Sequence, residues 1–127
     1  MAQHDSKALA NKFIHALETR DLDAVSDLLA DDVVFEDVPL ADTVHRGKPK
    51  AVEKVAEFFG KSSSYIWKKH RVVSENGTVF VERTSDIVFG DKKVTLPMVV
   101  ILEFNDAGKL TLFKDYFDLQ TLQNQLA

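Results

Sequence analysis

The sequence has no cysteine among its 127 residues. Disulfide frameworks and thiolate metal sites are therefore excluded, and the absence fits a reducing compartment. No apolar run approaches the length needed to cross a bilayer, and residues 1–6 lack the apolar core of a signal peptide. We therefore expect a cytoplasmic protein with no membrane partner.

Basic residues are also fewer than acidic ones. The formal net charge of -4 gives no electrostatic reason to expect a nucleic acid partner. The sequence contains no glycine-rich phosphate loop and no nucleophile elbow, and its histidines lack metal-ligand spacing with carboxylates. We expect a single domain over residues 1–127 that uses no metal or organic cofactor.

Helical patterns dominate the first half of the chain. A helix is predicted after Asp5 or Ser6, a second, short one after Asp21, and a third from Gly47 and Pro49, separated from the second by a strand over 33–37. The third helix is expected to bury one side, formed by Val52, Val55, Ala56 and Phe59. A last helix is predicted at about 119–126.

The pattern of the second half predicts four long β-strands, at about 65–75, 78–89, 92–104 and 109–117. Asn76-Gly77 is a type I′ hairpin signal, Gly90-Asp91 a second two-residue turn, and residues 105–108 a four-residue loop. Helices followed by an antiparallel meander predict an α+β fold, with the helices packed on one face of a bent sheet.

Unbroken hairpin registers would align four side chains in one row across the strands, namely His70, Arg83, Met98 and Asp115. The flanking rows are mostly apolar, comprising Val72, Val81, Val100 and Phe113 on one side and Lys68, Ser85, Leu96 and Phe117 on the other. This face is therefore expected to lie against the helices. The opposite face, with Val99, Ile101 and Trp67, would suit a homodimer interface.

Asp115 is the leading candidate for chemistry. It alternates with Phe113 and Phe117, and a carboxylate on a buried face must be paired, hydrogen-bonded or protonated. A general base in a pocket satisfies the pattern, with Arg83 reaching across Met98 to pair with it. A purely structural ion pair is the alternative.

Asp37 and His70 are further candidates. Asp37 shares a strand face with Phe35, and it is either a second pocket carboxylate or a turn-capping group. His70 is either a proton carrier beside Arg83 or part of a solvated basic run. Ser85 could hydrogen-bond a ligand oxygen or be a satisfied core hydroxyl.

Several motifs resemble the nuclear transport factor 2-like superfamily, and within it the branch of limonene-epoxide hydrolases and SnoaL-like polyketide cyclases. The resemblance covers most of the chain and is clearest in residues 30–40, 82–83, 90–97 and 115–118. It implies a cone-like curved sheet around helices, with a deep apolar pocket and a homodimer.

The epoxide hydrolase resemblance also implies roles for individual residues. Asp115 matches the carboxylate that helps activate water, and Arg83 matches the arginine that links it to a second, proton-donating aspartate. Ser85 stands in that aspartate's place, so the family route would need a β-bulge to turn Asp86 inward. Phe35 and Asp37 stand where the family has a tyrosine and an asparagine.

The segment around Asp37 is also similar to the one that carries the general base of ketosteroid isomerases. That family's oxyanion tyrosine matches Phe13, and its acidic donor falls within residues 98–100. Arg83 or His70 could replace this oxyanion hole electrostatically.

These observations favour an enzyme that performs acid–base chemistry on a small apolar substrate, by isomerisation, cyclisation or epoxide hydration. Its catalytic groups would be Asp115, Arg83, Asp37 and His70. The substrate would contact Phe35, Ser85, Met98, Val100, Phe113, Phe117 and Phe13. The alternative is a non-catalytic ligand-binding or dimerisation module of the same fold.

Overall fold

The computed structural model describes residues 5–127. The helices are α1 (Ser6–Glu18), α2 (Leu22–Leu28), α3 (Lys48–Lys61) and α4 (Leu119–Leu126). The strands are β1 (Leu29–Asp37), β2 (His45–Arg46), β3 (Ser64–Glu75), β4 (Thr78–Phe89), β5 (Lys92–Phe104) and β6 (Leu110–Phe117). The chain order thus agrees with the predicted one, apart from the short strand β2 and an earlier start of β1.

The helices begin at the predicted capping residues. The Asp5 side chain accepts the backbone N–H of Ala8 at 3.1 Å, and Asp21 accepts that of Ala24 at the same distance. Each cap satisfies a backbone donor that has no partner inside the helix. In α3 the buried residues are Ala51 and Val55, whereas Ala56 is exposed. The prediction for Ala56 is therefore wrong, because the next residue lies about 100° farther around the helix.

The strands form one curved, unclosed sheet in the order β2-β1-β6-β5-β4-β3. Strands β1 and β6 pair in parallel, and all the other pairs are antiparallel. Helix α1 packs on β3 and β4, and α3 packs on β1 and β2. The buried core between these helices and the sheet includes Phe13, Ile14, Val81, Leu96 and Leu102. The predicted α+β class, with helices on one face of a bent sheet, is confirmed.

The first hairpin has the predicted turn. Asn76 and Gly77 have φ angles of 50° and 82°, as a type I′ turn requires at both central positions. A Cβ atom at Gly77 would lie 3.0 Å from the backbone oxygen of Phe104, so a side chain would collide there as well. The pairing of Glu75 with Thr78 follows, as predicted.

A β-bulge in β3 changes the side chains that face the helices. Lys69 pairs with Arg83 and Arg71 pairs with Glu82, so His70 is the extra residue between them. Because each strand residue alternates in direction, one extra residue reverses every side chain before it. His70 and Lys68 point to solvent, whereas Trp67 turns inward and is only 4% exposed. The predicted positions of His70, Lys68 and Trp67 are therefore wrong.

Strand β6 is displaced along β5 by two residues. Val100 faces Asp115, and Met98 faces Phe117 instead of Asp115 as predicted. An irregularity between Glu103 and Phe104 absorbs the difference. A displacement of two residues keeps each side chain on its face of the sheet, so Asp115 still points inward.

None of the helices within residues 5–127 is both long and apolar enough to cross a bilayer. The expectation that the chain carries no signal peptide concerns residues 1–6, of which residues 1–4 lie outside the described part.

Candidate active site

A buried ion pair joins two central strands. The Arg83 guanidinium donates from Nη1 to Asp115 Oδ1 at 2.7 Å and from Nη2 to Asp115 Oδ2 at 2.9 Å. Arg83 is 1% exposed and Asp115 is 3% exposed. The parallel fork of donors therefore fixes the plane of a carboxylate that is almost completely removed from water.

Other side chains hold the guanidinium on its remaining sides. Arg83 Nε donates to Ser85 Oγ at 3.0 Å, and Nη2 also donates to the Tyr65 hydroxyl at 3.1 Å. The indole ring of Trp67 lies 3.6 Å from the guanidinium carbon, which places the cation over the ring face. Arg83 is thus immobilised by contacts from β3, β4 and β6.

Burial dominates the electrostatics of the pair. Removal from water raises the pKa of Asp115 above its usual value, although Arg83 opposes the rise and Asp37 adds to it. Burial also raises the pKa of Tyr65, to about 12. For Arg83 burial acts to lower the pKa, but Tyr65 and Asp115 more than offset it and the net change is upward. Arg83 is therefore cationic at every physiological pH.

Asp115 lies in the wall of a cavity of about 300 Å³ between the sheet, α1, α3 and α4. Its ionisable lining residues are Asp37, Lys54, Glu57, Lys61, Tyr65 and Asp115. The others are Leu17, Phe35, Leu40, Val55, Phe58, Ile87, Phe89, Leu96, Met98, Phe113, Phe117 and Leu122. A ligand in the cavity would thus meet apolar side chains over most of its surface and a carboxylate at the inner wall.

Asp37 is the second carboxylate of the cavity. It pairs with Asp115 across the parallel strands β1 and β6, whose backbones lie about 4.8 Å apart. Lys54 from α3 contacts Asp37 Oδ2 at 2.5 Å, and both side chains are about one-fifth exposed. Each of the two neighbouring carboxylates therefore lies beside a cation, Asp37 beside Lys54 and Asp115 beside Arg83.

Aromatic rings build the walls around these groups. Phe35 and Phe113 stack with centroids 4.8 Å apart, and Phe58 meets Tyr65 edge-on at the same distance. Trp67 contacts Tyr65 with centroids 5.8 Å apart. These contacts restrict the rotation of the Tyr65 ring and hence the position of its hydroxyl.

The structure brings many of the predicted site residues together. Asp115 and Asp37 line the cavity, as do four predicted substrate contacts, Phe35, Met98, Phe113 and Phe117. Arg83 and Ser85 are buried behind the wall, where they contact each other. Val100 and Phe13 belong to the buried core and not to the cavity wall, so the expectation that they contact substrate directly does not match their positions.

His70 does not join the site. It is exposed, and its Nε2 lies 2.8 Å from Thr84 Oγ1 on the outer face. The predicted position beside Arg83 is wrong because the bulge in β3 turns the imidazole outward.

Asp86 does not replace the missing aspartate either. The register between β4 and β5 continues without a bulge from Thr78 to Phe89. Asp86 therefore points outward, where it contacts Lys68 at 2.8 Å and accepts a hydrogen bond from Thr95 at 3.0 Å. These contacts lower the pKa of Asp86 and favour its ionised form on the outer face.

Sequence reasoning missed Tyr65 and Lys54. Both line the cavity, and Tyr65 is also bonded to Arg83. The unrecognised bulge hid Tyr65 by reversing the faces assigned to the first half of β3. Lys54 lies three residues after the buried Ala51, and this helical spacing offered a weak signal on α3. Within residues 5–127, no three acidic or histidine side chains are close enough to hold a metal ion.

This geometry can support acid–base catalysis. One carboxylate is buried, oriented by an arginine and open to a cavity, which are the properties expected of a general base. A second carboxylate, a phenol and an ammonium group lie on the same wall and can hydrogen-bond a ligand or a water molecule.

Two proteins similar to this chain are named as epoxide hydrolases. The chain is 31% identical over 107 residues to epoxide hydrolase EphG of Mycobacterium tuberculosis, a match that covers 84% of this chain and 69% of that protein. A solved M. tuberculosis LEH-like epoxide hydrolase superposes with a TM-score of 0.82 at 28% identity, covering 95% of this chain and 91% of that one.

A SnoaL-like polyketide cyclase fold from Shewanella denitrificans superposes with a TM-score of 0.86 at 22% identity, covering 98% of both chains, and this likeness establishes the fold alone. The family model described as the limonene-1,2-epoxide hydrolase catalytic domain matches residues 5–127. These relationships favour an enzyme over a non-catalytic module. The chain belongs to the limonene-1,2-epoxide hydrolase catalytic-domain family.

Proposed function

We propose that the protein adds water to an epoxide on a small apolar molecule, with Asp115 as the general base. The observation that carries the proposal is a buried carboxylate in a cavity wall, with both oxygens bound by one arginine. Membership of the epoxide hydrolase family supports the reaction class.

Asp115 retains the capacity to bind a water molecule. Each of its oxygens accepts one N–H from Arg83, and a carboxylate offers about four lone-pair sites in all. A water in the cavity can therefore donate a proton to Asp115 while one of its own lone pairs faces the substrate. Arg83 lies behind the wall and is a positioning residue that fixes the direction of this hydrogen bond.

The basicity of Asp115 is suited to this role. Burial raises its pKa, so it holds a proton more readily than a solvated aspartate does. Arg83 acts in the other direction and favours the ionised form that must be present before the reaction. The balance provides a carboxylate that is both charged and a stronger base than usual.

Asp37 is proposed to bind the same water from the neighbouring strand. Its carboxylate is adjacent to Asp115 in the β1–β6 pairing and is held by Lys54. In this arrangement Asp37 fixes the second proton of the water, and Lys54 limits the repulsion between the two carboxylates.

The cavity sets the class of substrate. A volume of about 300 Å³ is at the lower end of the range for small-molecule pockets. The space therefore suits a compound at the small end of those that such pockets bind. The aromatic and aliphatic walls favour a largely apolar molecule without a charged group.

Isomerisation or cyclisation of an enolisable carbonyl compound is the second candidate. The specific observation in its favour is a carboxylate at Asp37, on the cavity wall and next to a cationic Lys54. Asp37 would then remove a proton from carbon and pass it to Asp115, which would deliver it to the second carbon. This route uses both carboxylates as proton carriers and does not incorporate water.

Product analysis separates the two reactions. Purified protein would be incubated with limonene-1,2-epoxide, cyclohexene oxide and styrene oxide, and in parallel with a steroid enone and a β-diketone. Incubation in H₂¹⁸O followed by mass spectrometry should give singly labelled diols from epoxides. Isomers without solvent oxygen would favour the second candidate, and binding without conversion of any compound would contradict both.

We also propose a cytoplasmic homodimer that forms through the outer face of the sheet. Phe80 and Tyr116 are exposed there, and Val99 and Ile101 are half-buried. Trp67 faces inward and is excluded from the interface. Light scattering coupled to gel filtration should give a dimer for the wild type and a monomer for a Phe80→Glu/Ile101→Glu variant. A monomeric wild type would contradict this proposal.

A further inference from the structure

Opening an epoxide requires a proton donor for the oxygen that leaves the carbon. The resemblance to epoxide hydrolases places an aspartate donor at position 85, but here Ser85 occupies it and accepts the Arg83 Nε–H. Asp86 faces the opposite side of the sheet. If the proposed function holds, the donor must be another group in the cavity wall.

We propose that Tyr65 is this donor, an inference that rests on the proposed epoxide hydration. Tyr65 lines the cavity, and its hydroxyl oxygen accepts a hydrogen bond from Arg83 Nη2 at 3.1 Å. The same nitrogen donates to Asp115 Oδ2 at 2.9 Å. Among residues 5–127 the phenolic proton has no acceptor, so it is available to a ligand in the cavity.

The positions of the two groups match the reaction. Because Tyr65 Oη and Asp115 Oδ2 share one donor, they are no farther apart than the sum of the two hydrogen-bond distances. A water on Asp115 and an epoxide oxygen on Tyr65 can therefore flank the carbon that is attacked. The edge-on contact with Phe58 and the contact with Trp67 hold the phenol in this position.

The proposed hydration of the epoxide balances in protons and electrons without a further reactant. Asp115 takes a proton from water as the water oxygen bonds to carbon, the carbon–oxygen bond of the epoxide breaks, and Tyr65 protonates the released oxygen. The products are a diol, a protonated Asp115 and a tyrosinate beside the Arg83 cation. Transfer of the proton from Asp115 to Tyr65 restores the starting state, and Arg83 stabilises the charge at both ends.

The acidity of Tyr65 is sufficient for this step. Burial raises its pKa to about 12, so it is protonated at neutral pH. An alkoxide is a base comparable to hydroxide, and the pKa of bulk water is about 15.7. Proton transfer from Tyr65 to the opened epoxide is therefore downhill, and its proximity to Arg83 favours the resulting tyrosinate.

The chain provides a matched pair of variants. It contains two tyrosines, Tyr65 in the cavity and Tyr116 on the outer face. Tyr65→Phe keeps the ring and its aromatic contacts and removes only the hydroxyl, and Tyr116→Phe makes the same chemical change away from the cavity. We expect kcat/KM for diol formation from cyclohexene oxide to fall roughly a hundredfold in Tyr65→Phe, with no change in Tyr116→Phe.

A substrate comparison distinguishes a proton donor from a structural hydroxyl. Epichlorohydrin and 1,2-epoxybutane are similar in size, but the first opens to a less basic alkoxide and depends less on an acid. The rate loss in Tyr65→Phe should therefore be smaller for epichlorohydrin. A hydroxyl that only supports the fold would cause equal losses with both, and that result would overturn the inference.

The possible outcomes separate the inference from the proposed function. If the wild type hydrates none of these epoxides, the proposed function fails and the role of Tyr65 fails with it. If the wild type makes diols and Tyr65→Phe does so at the same rate, only the role of Tyr65 is overturned. If Tyr65→Phe is folded and keeps its activity while Lys54→Met loses it, the inference about Tyr65 is wrong and the proton comes from the Lys54 side of the cavity.

Discussion

Replacing Arg83 with leucine should leave Asp115 buried without a cation. The variant loses both hydrogen bonds to the carboxylate as well as the contacts with Tyr65 and Ser85. Removing one partner of a buried ion pair typically costs about 3–5 kcal/mol, because the other charge remains uncompensated. Leucine preserves an apolar contact with Trp67, so the electrostatic loss dominates.

The pH dependence of the cost follows from the titration of Asp115. Arg83 acts to lower the pKa of Asp115, so its removal raises that pKa further and the folded variant avoids the buried charge by taking up a proton. An unfolded aspartate has a pKa of about 3.9, and each pH unit above this value adds about 1.4 kcal/mol to the cost of protonation, or about 4 kcal/mol at pH 7. The stability of the variant should therefore be highest near pH 4 and fall as the pH rises.

Urea denaturation near pH 5 and pH 7 measures this effect directly. The single tryptophan, Trp67, lies over the guanidinium and provides an intrinsic fluorescence signal. The destabilisation of Arg83→Leu relative to wild type should be about 2–3 kcal/mol smaller near pH 5 than near pH 7. Arg71→Leu is the matched control, because Arg71 is exposed and paired with Glu82 on the surface. It should change stability little at either pH.

Two results would refute this reasoning. A loss of stability in Arg83→Leu that is independent of pH would mean that Asp115 does not take up a proton when the cation is removed. A loss no larger than that of Arg71→Leu would mean that the pair is not shielded from water.

Two further predictions concern activity. The pKa of Asp115 is raised by burial, and a general base works only when ionised, so kcat/KM for diol formation should decrease as the pH falls through a midpoint above 3.8. A pH–rate profile with an acid limb at or below 3.8 would contradict this assignment. Asp37→Asn keeps a hydrogen-bond acceptor next to the water site, so diol formation should stay within roughly tenfold of wild type. A loss of roughly a hundredfold or more in a kinetic assay would instead make Asp37 the base, as the isomerase-like route requires.

Much of the fold was predictable because its turns have local causes. Asn76-Gly77 adopts the positive φ angles that a type I′ turn needs, and this fixes the pairing at the start of β3 and β4. The two-residue turn at Gly90 likewise set Arg83 opposite Met98. The inward direction of Asp115 also followed from simple alternation.

The errors in the site came from irregularities that local sequence does not specify. The bulge at His70 lies in a run of four basic residues, where no apolar alternation marks the extra residue. It removed His70 from the site and placed Tyr65 in it. The irregularity after Glu103 shifted Asp115 by two positions, and the long Arg83 side chain compensates for that shift.

The cavity itself was less accessible to sequence reasoning. Its wall includes Lys54 from α3 and Leu122 from α4, which approach the sheet only through tertiary packing. The ion pair between Lys54 and Asp37 joins residues from separate elements, and no sequence spacing indicates it. Such contacts depend on how the helices pack on the curved sheet.

The most direct test of the general-base role is the rate of diol formation by Asp115→Asn. An amide cannot accept the proton of the attacking water, so kcat should fall by at least roughly a hundredfold while circular dichroism shows a folded protein. Asp86→Asn makes the same change on the outer face and should retain the wild-type rate. Diol formation by folded Asp115→Asn at the rate of Asp86→Asn would contradict the role of Asp115 as the base.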